Sequence, residues 1–406
     1  MKILVQKFGG TSVSSPERRE RVAGKILDAI AAGYATVVVI SAIGRSGDSY
    51  ATDTLLDLAQ QAGKAAPREL DLLMSCGEVI SCVVMAGALG GHGLKPVVLT
   101  GAQAGILTDS GYGDATIQQV DGSRILALLE EGCVPVVAGF QGVDAKGNIT
   151  TLGRGGSDVT AAVLGEALQA KAVEIYTDVE GIMTADPRIV PNARIMETVN
   201  YNEVFQMAEY GAKVIHPRAV EVAMRSHIPM YIKSALTDHP GTLITSMYPG
   251  RSYKAGEDSR LITAVAQVTG KCRVRVAFTG ARPAIERDEL LLGSIAEAGI
   301  SIDMINLSPE AKVFIVEAKD RDVLVRLLEG LGYDPALQEG MGKVTVIGSR
   351  MRGVPGVMAK AARALADAGI RIYQTSDSSM TISCLVEEAR LNEAAVALHR
   401  AFGLEP

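Results

Sequence analysis

Residues 2–12 read Lys2-Ile-Leu-Val-Gln-Lys-Phe-Gly-Gly-Thr-Ser12, and the chain continues Val-Ser-Ser-Pro-Glu-Arg-Arg-Glu20. A short apolar run, tandem glycines, two hydroxyls and then Pro16 at the head of a helical pattern describe strand, turn and helix in succession. Gly9 and Gly10 let backbone N–H groups face an anion without a Cβ in the way, and the helix start behind them adds its positive end. The stretch matches neither G-x-x-x-x-G-K-[ST] nor G-x-G-x-x-G, because Lys7 precedes the glycines. By itself it fits a phosphate cradle and a tight turn beside a surface lysine equally well.

The same alternation recurs through about residue 245. KILVQKF, TVVVISAI, KPVVLTG, VPVVAGF, AVEIYTD and IPMYIKS read as buried strands, and Pro16–Ala32, Ala51–Gln61, Arg68–Leu89 and Ala115–Glu131 carry apolar residues at helical spacing. Buried strands joined by helical crossovers predict an α/β domain, a mainly parallel sheet with helices on both faces. Ligands of such sheets lie outside the carboxyl ends of the strands. Residues 246–261 read as a Gly/Pro/Ser-rich linker. Beyond it, SIAEAGISID beginning at Ser294 and ALADAGIRIY beginning at Ala364 are one phrase used twice, each a helix closed by Ala-Gly and followed by a strand. Strand runs before and after each helix make a βαββ unit present twice, at 262–340 and 341–406, with strand exchange between the two allowed.

Bulk composition restricts the function classes. At 406 residues the chain exceeds one ordinary core. Hydrophobic residues at 48% with 21% charged describe a globular protein, and a net charge of −6 with no Trp and no basic stripe argues against nucleic acid. An anionic substrate must therefore be held by a few local cations. The five cysteines lack a C-x-x-C pair and point to reduced thiols in the cytoplasm. No signal peptide is recognisable, no apolar run approaches the ~20 residues needed to cross a bilayer, and the histidines show no metal-ligand spacing.

Four polar-glycine segments carry the candidate chemistry. Lys7–Ser12 is the first. The second, Thr151-Leu-Gly-Arg-Gly-Gly-Ser-Asp-Val-Thr160, offers Ser157 or Asp158 as a helix cap and sets Arg154 between glycines, where a guanidinium fork suits a carboxylate or phosphate. The third, Ile175-Tyr-Thr-Asp-Val-Glu-Gly-Ile-Met-Thr-Ala-Asp-Pro-Arg188, places Asp178 at a strand end for a ribose hydroxyl and Arg188 for phosphates; taken alone it is also an ordinary loop of Asx turns. The fourth, Gly211-Ala-Lys-Val-Ile-His-Pro217, brings Lys213, for which a solvated lysine is the plain alternative. Ser41 closes a strand, Glu78 stands at an apparent helix start where a dipole partner would suffice, and His216 before Pro217 reads as structural. Without an Asp-rich motif, Mg²⁺ would arrive bound to nucleotide phosphates.

KFGGTSV, TGAQAGILTD, GRGGSDVTAA, YTDVEGIMTADPR and GAKVIHPRAVEVA, in this order, resemble the signatures of aspartokinases, and the repeated C-terminal unit resembles the pair of ACT domains such enzymes carry. The resemblance covers essentially the whole chain. It implies the amino-acid-kinase fold over 1–245 and ATP-dependent phosphorylation of the L-aspartate side-chain carboxylate, the first step towards lysine, diaminopimelate, threonine and methionine. Lys7, Arg154 and Asp158 are then the catalytic set. ATP is bounded by Lys7, Phe8, Gly9, Gly10, Ser41, Thr177, Asp178, Met183, Thr184, Ala185, Asp186, Pro187, Arg188 and Lys213. Aspartate is bounded by Ser41, Thr52, Glu78, Arg154, Gly155, Gly156, Ser157 and Asp158, with Arg154 on the α-carboxylate and Glu78 and Asp158 facing the ammonium.

Three departures from the family pattern stand out. A Thr-Thr-Asp usual after the serine is replaced by Arg45-Ser-Gly-Asp48 and Thr52-Asp53; the Asp-x-Pro-Gly turn is missing from the first repeat, which has Ala281-Arg-Pro-Ala284, and survives as Gly353-Val-Pro-Gly356 in the second; and Asp303-Met-Ile-Asn306-Leu-Ser-Pro309 differs from lysine-plus-threonine responsive forms. The ACT pair implies feedback by an end-product amino acid (diaminopimelate, lysine or threonine) near Ser301, Asp303 and Asn306, closest to diaminopimelate-responsive bacterial forms, in a homodimer or larger assembly. The other readings are a kinase of glutamate or acetylglutamate, and a regulatory protein whose kinase domain has decayed.

Overall fold

In the computed structural model, which describes residues 1–212, 214–246, 261–277, 284–349, 351 and 353–405, the opening stretch is β1 (Ile3–Phe8), a 3₁₀ turn over Gly10–Val13 and α1 (Pro16–Ala31). Ser15 caps α1 by accepting from the Arg18 N–H, and Pro16 occupies the first helical position. The chain continues through β2 (Ala35–Ile40), α2 (Thr52–Ala62), α3 (Pro67–Gly91), β3 (Pro96–Leu99), β4 (Ile106–Thr108), β5 (Ile117–Val120), α4 (Ser123–Glu130), β6 (Val134–Ala138), β7 (Gln141–Val143) and β8 (Ile149–Thr151). Then come α5 (Gly156–Ala167), β9 (Ala172–Thr177), β10 (Thr198–Asn200), α6 (Tyr201–Glu209), α7 (Pro217–Arg225), β11 (Met230–Ser234) and β12 (Thr242–Thr245).

β1 lies inside an eight-stranded sheet of order β10-β12-β11-β9-β1-β2-β6-β3, parallel except for β11 against β12. All six strands expected from the sequence are in it. Side chains alternate across β1, so Phe8 joins Val22, Ile26, Cys82, Met85 and Leu89 under α1 and α3, while Lys7 faces α5 on the other side. α5 is buried along almost its whole length, and the absence of a Cβ at Gly165 lets it settle against Val173 of β9. Helices thus cover both faces, as the alternation predicts.

Three expectations need correction. Ala115–Glu131 is not one helix: its first part is β5, which joins β4, β7 and β8 in a separate four-stranded sheet of order β5-β4-β7-β8. Strands of three or four residues are too short to display a period. Glu78 is not at a helix start but in the middle of the 25-residue α3. α3 also overturns the expectation that no apolar segment approaches spanning length, because by length and composition alone it is apolar enough to cross a bilayer. A single carboxylate interrupts the apolar run without lowering its mean hydropathy much. The helix carries Asp71 and Glu78 buried and packs Met85 and Leu89 into the core under the sheet.

By its contacts the chain divides into two units, and the second comprises Met183–Arg194, Glu209–Ala212 and Lys254–Pro406. Its elements are β13 (Ala264–Ala277), α8 (Ala284–Glu297), β14 (Asp303–Leu307), β15 (Ala311–Glu317), α9 (Arg321–Gly330), β16 (Pro335–Ile347), α10 (Val357–Asp367), β17 (Gln374–Asp377), β18 (Thr381–Glu387) and α11 (Leu391–Ala401). They form a six-stranded antiparallel sheet of order β14-β15-β13-β16-β18-β17. Gly299 and Gly369 close α8 and α10 in the left-handed conformation, and the Ile300 and Ile370 N–H groups reach back to Ile295 and Leu365 carbonyls.

The βαββ unit read from sequence is completed by a second helix and a fourth strand. Bulges divide β13: Lys271–Ala277 pairs with β15 and with the first half of β16, whereas Ala264–Val268 pairs with Lys343–Ile347, whose other side is β18. Residues 264–268 open the first repeat in sequence yet finish the sheet of the second. Two cores result, one of Leu291, Ile295, Phe314, Leu324 and Leu328, the other of Val344, Ala361, Leu365, Leu391 and Leu398. Lys213, nearly all of the 246–261 linker and the 281–283 part of Ala281-Arg-Pro-Ala284 lie outside the described residues.

Candidate active site

The carboxyl ends of β9, β1, β2 and β6 meet at one edge of the large sheet. Gly9 N–H donates to the Tyr176 carbonyl (3.1 Å), Ser41 N–H to Phe8 (3.2 Å) and Gly139 N–H to Ile40 (3.0 Å), so the four strand ends are stitched in register. The two glycines of the first motif differ in role. A Cβ on Gly10 would stand 2.1 Å from the Ala42 carbonyl oxygen, so only glycine lets the turn lie against the Ala42–Gly44 backbone. At Gly9 the nearest atom to such a Cβ is 3.6 Å away, which leaves room above the turn. Arg18 and Arg19 donate to the carbonyls of Thr11 and Val13, holding the turn from behind.

Lys7, from the end of β1, forms an ion pair of 2.6 Å with Asp158 in the first turn of α5; both are largely buried. The first and second motifs are thereby one site. Neither Ser157 nor Asp158 caps α5, since the cap position is Gly155 in the left-handed conformation without a side-chain acceptor. Arg154 is exposed just before it, and among the described residues it has no ion pair, whereas Arg188 and Arg218 are both paired with carboxylates. Such a guanidinium is available to an incoming anion. Gly156 and Ser157 are buried against Phe140 and Gly139.

Glu78 lies below the same edge, 2% exposed, with Oε1 accepting from Ala42 N–H (3.3 Å) and Oε2 without a partner among the described residues. Burial pushes its pKa up to about 8, against the two backbone donors that lower it. A carboxyl so placed is protonated near neutrality and ready to ionise when a cation arrives. Ser41 is adjacent through Ala42. Thr52 begins α2, at the end of a loop in which Arg45 pairs with Asp178 at 2.9 Å, both exposed. Thr177 Oγ1 donates to Asp178 Oδ1 at 3.2 Å.

Met183–Arg188 belongs by its contacts to the second unit. Thr184 is 1% exposed and Ala185 7%; Thr184 Oγ1 bonds His399 Nε2 at 2.9 Å, and its carbonyl accepts from Val265 N–H. Asp186 and Arg188 pair with each other, and that bond holds the Asp186 carboxyl below its usual range. In the sheet of the second unit Asp303 accepts from Lys343 Nζ and from Met304 N–H, with Ser301 and Asn306 exposed nearby in sequence.

Four residues with a part in the site were not singled out from sequence. Phe140 follows β6 with φ of 70°, a backbone strain that is rare for a bulky residue and concentrates at functional sites. Asp71, Asp114 and Arg218 surround the turn that bears Arg154. His216, expected to be structural, is the N-cap of α7, its ring accepting from Arg218 N–H and packing against Gly155. Burial and the neighbouring Arg218 lower its pKa.

The amino acid kinase family model matches residues 2–234, and an ACT domain model matches 336–400. Aspartokinase 1 of Bacillus subtilis is 45% identical over 407 aligned residues, covering all of both chains. The chain belongs to the aspartokinase family. Among solved structures, aspartokinase III of Escherichia coli in complex with aspartate and ADP superimposes with a TM-score of 0.79 at 26% identity, covering 98% of this chain and 99% of that one. The same Escherichia coli enzyme in complex with lysine and aspartate gives 0.74 at 26% identity, over 99% of each chain. As an aspartokinase the chain is an enzyme of the kinase class, and family membership implies ATP as phosphoryl donor.

Proposed function

We propose that the protein transfers the γ-phosphoryl group of MgATP to the side-chain carboxylate of L-aspartate, giving 4-phospho-L-aspartate. The observation that carries this reading is the Lys7–Asp158 pair, which joins a phosphate-type glycine turn to the Arg154 turn at one sheet edge. The attacking carboxylate is already ionised at neutral pH, so no strong base is needed. Catalysis rests on alignment and on neutralising charge over the transferring group. Lys7 exchanges Asp158 for phosphoryl oxygens, with Gly9 and Gly10 backbone beside it, and Thr177 and Asp178 border the nucleotide. Arg154 grips the substrate α-carboxylate, and Glu78 with Asp158 receives its ammonium. The Mg²⁺ ion enters with the phosphates as part of the substrate.

Incubation with ATP, Mg²⁺ and hydroxylamine tests the reading. Aspartate is expected to yield the hydroxamate, and glutamate or acetylglutamate to yield little. A product from either of those and none from aspartate would refute it.

The second unit is proposed to report an end-product amino acid, with diaminopimelate the first candidate and lysine and threonine next. Asp303 supports this: its carboxylate is held by Lys343, and an effector ammonium could take that place. Calorimetric titration with all three, and no heat from any, would remove the proposal. Association of ACT units into a homodimer or larger assembly and a cytoplasmic setting, in keeping with five unpaired cysteines, complete the reading.

A further inference from the structure

The turn that carries Arg154 is gripped from three directions, and the grip holds residues to which the reaction assigns no part. Arg218 donates bidentately to Asp114, Nη1 to Oδ1 at 2.8 Å and Nη2 to Oδ2 at 3.1 Å, and Nη1 also reaches the Leu152 carbonyl at 3.3 Å. Asp114 in turn lies over the turn itself: a Cβ on Gly153 would be 2.5 Å from its Oδ1. On the far side of Arg154 the His216 ring would be 2.4 Å from a Cβ on Gly155. Both glycines have positive φ, 72° and 68°, so the backbone enters and leaves Arg154 in conformations that other residues resist.

Asp71 supplies the third hold. Its buried carboxylate accepts from Thr151 N–H (2.8 Å), Thr151 Oγ1 (2.8 Å) and Gly113 N–H (3.0 Å), tying the end of β8 to the loop that presents Asp114. Ala115 N–H closes the same loop onto the Thr151 carbonyl at 2.8 Å. Leu152–Gly155 therefore has its backbone fixed at both ends, while the guanidinium it presents has no ion pair among the described residues.

A solvent-accessible Arg–Asp pair contributes little to stability, commonly under about 1 kcal/mol. Its geometric effect is another matter, because a displacement of about 1 Å in a binding group can cost up to 10²-fold in catalysis. We propose that Asp114 and Arg218 are positioning residues for aspartate: as a clasp on the Leu152 carbonyl and Gly153 they set the place of the Arg154 guanidinium. They touch no reacting atom. The proposal rests on the reading of Arg154 as the α-carboxylate ligand.

Steady-state kinetics on the full chain tests it, with Arg218→Gln, Arg218→Lys, Asp114→Asn, the double variant Asp114→Asn/Arg218→Gln, and Arg154→Lys for comparison. Arg218→Gln and Asp114→Asn are each expected to raise the KM for aspartate about tenfold while the KM for ATP stays within about twofold. The thermal midpoint is expected to move by no more than about 2 °C. Arg218→Lys, which keeps the charge but loses the fork, should fall between wild type and Arg218→Gln. The double variant should be no worse than the worse single one, because the pair acts as a unit.

An aspartate KM within about twofold of wild type in both single variants overturns the proposal, provided Arg154→Lys raises it. Equal increases in both KM values with a fallen midpoint also overturn it, since they report general loosening. If Arg154→Lys itself leaves the aspartate KM unchanged, the assignment of Arg154 falls and the clasp falls with it.

Discussion

Aspartate binding is expected to expel a proton from Glu78. In the free protein this carboxyl sits 2% exposed with one oxygen unpartnered among the described residues, and its pKa stands at about 8 instead of the usual 4.5. At pH 7 such a group carries about 0.9 of a proton. An ammonium docking on Oε2 favours the ionised form, and if that pulls the bound-state pKa below about 6 then most of that proton leaves. Linkage then makes aspartate affinity rise by about five- to tenfold between pH 6 and 7, flattening above 8. Calorimetry in buffers of different ionisation enthalpy measures the release directly, and the KM for aspartate against pH measures its consequence.

Glu78→Gln should abolish the proton release and flatten the profile while weakening binding. The same raised pKa has an opposite effect on stability. Between 4.5 and about 8 the native state holds more protons than the unfolded chain, so Glu78 costs stability as pH rises through that window, and Glu78→Gln should remove the slope. A binding enthalpy that is the same in every buffer, or a release that survives in Glu78→Gln, would refute the assignment of Glu78 to the ammonium.

Three further expectations are readily checked. Lys7→Met should lower kcat by about 10² or more, as removal of one transition-state donor does, with bound nucleotide retained by equilibrium dialysis; turnover within twofold of wild type would contradict its role. Gly10→Ala drives a Cβ to 2.1 Å from the Ala42 carbonyl and should cost about 1–3 kcal/mol in a denaturant titration, whereas Gly9→Ala, with its nearest atom at 3.6 Å, should fold normally and raise the KM for ATP. His399 is fully buried against Thr184 and burial lowers its pKa, so the unfolded chain takes up a proton that the native state refuses below its ordinary value of 6.5. Stability should thus decline as pH falls from 7 to 5, and His399→Gln should decline less steeply by chemical denaturation.

Six of the eight strands of the central sheet were legible from their short apolar, largely β-branched runs, whereas β10 and β12, of three and four residues, were not. The site was legible where glycines and charges coincide, at Lys7–Gly10 and Arg154–Asp158, and the ion pair that unites them crosses 150 residues of sequence. Legibility failed where geometry is non-local. β4, β5, β7 and β8 are too short for periodicity, and Ile117-Gln-Gln-Val120 carries two polar residues that a helix accepts as readily as a strand. Arg218 looks from sequence like any solvated residue in a first helical turn; its partner Asp114 is 104 positions away. The local pattern puts Glu78 at a helix start, but its raised pKa comes from burial in the middle of α3, which no local pattern announces.

The division of β13 bears on how such a chain can change over generations. The two ACT-like repeats read as a duplication, yet the strand segment that completes the later repeat forms the head of the earlier one. A recombination that replaced residues 341–406 with a foreign repeat would bring in a sheet whose edge must still be closed by resident residues 264–268. The pair therefore cannot be exchanged piecemeal like modules on a string. The residues that decide whether a transplanted second repeat fits are located at the head of the first.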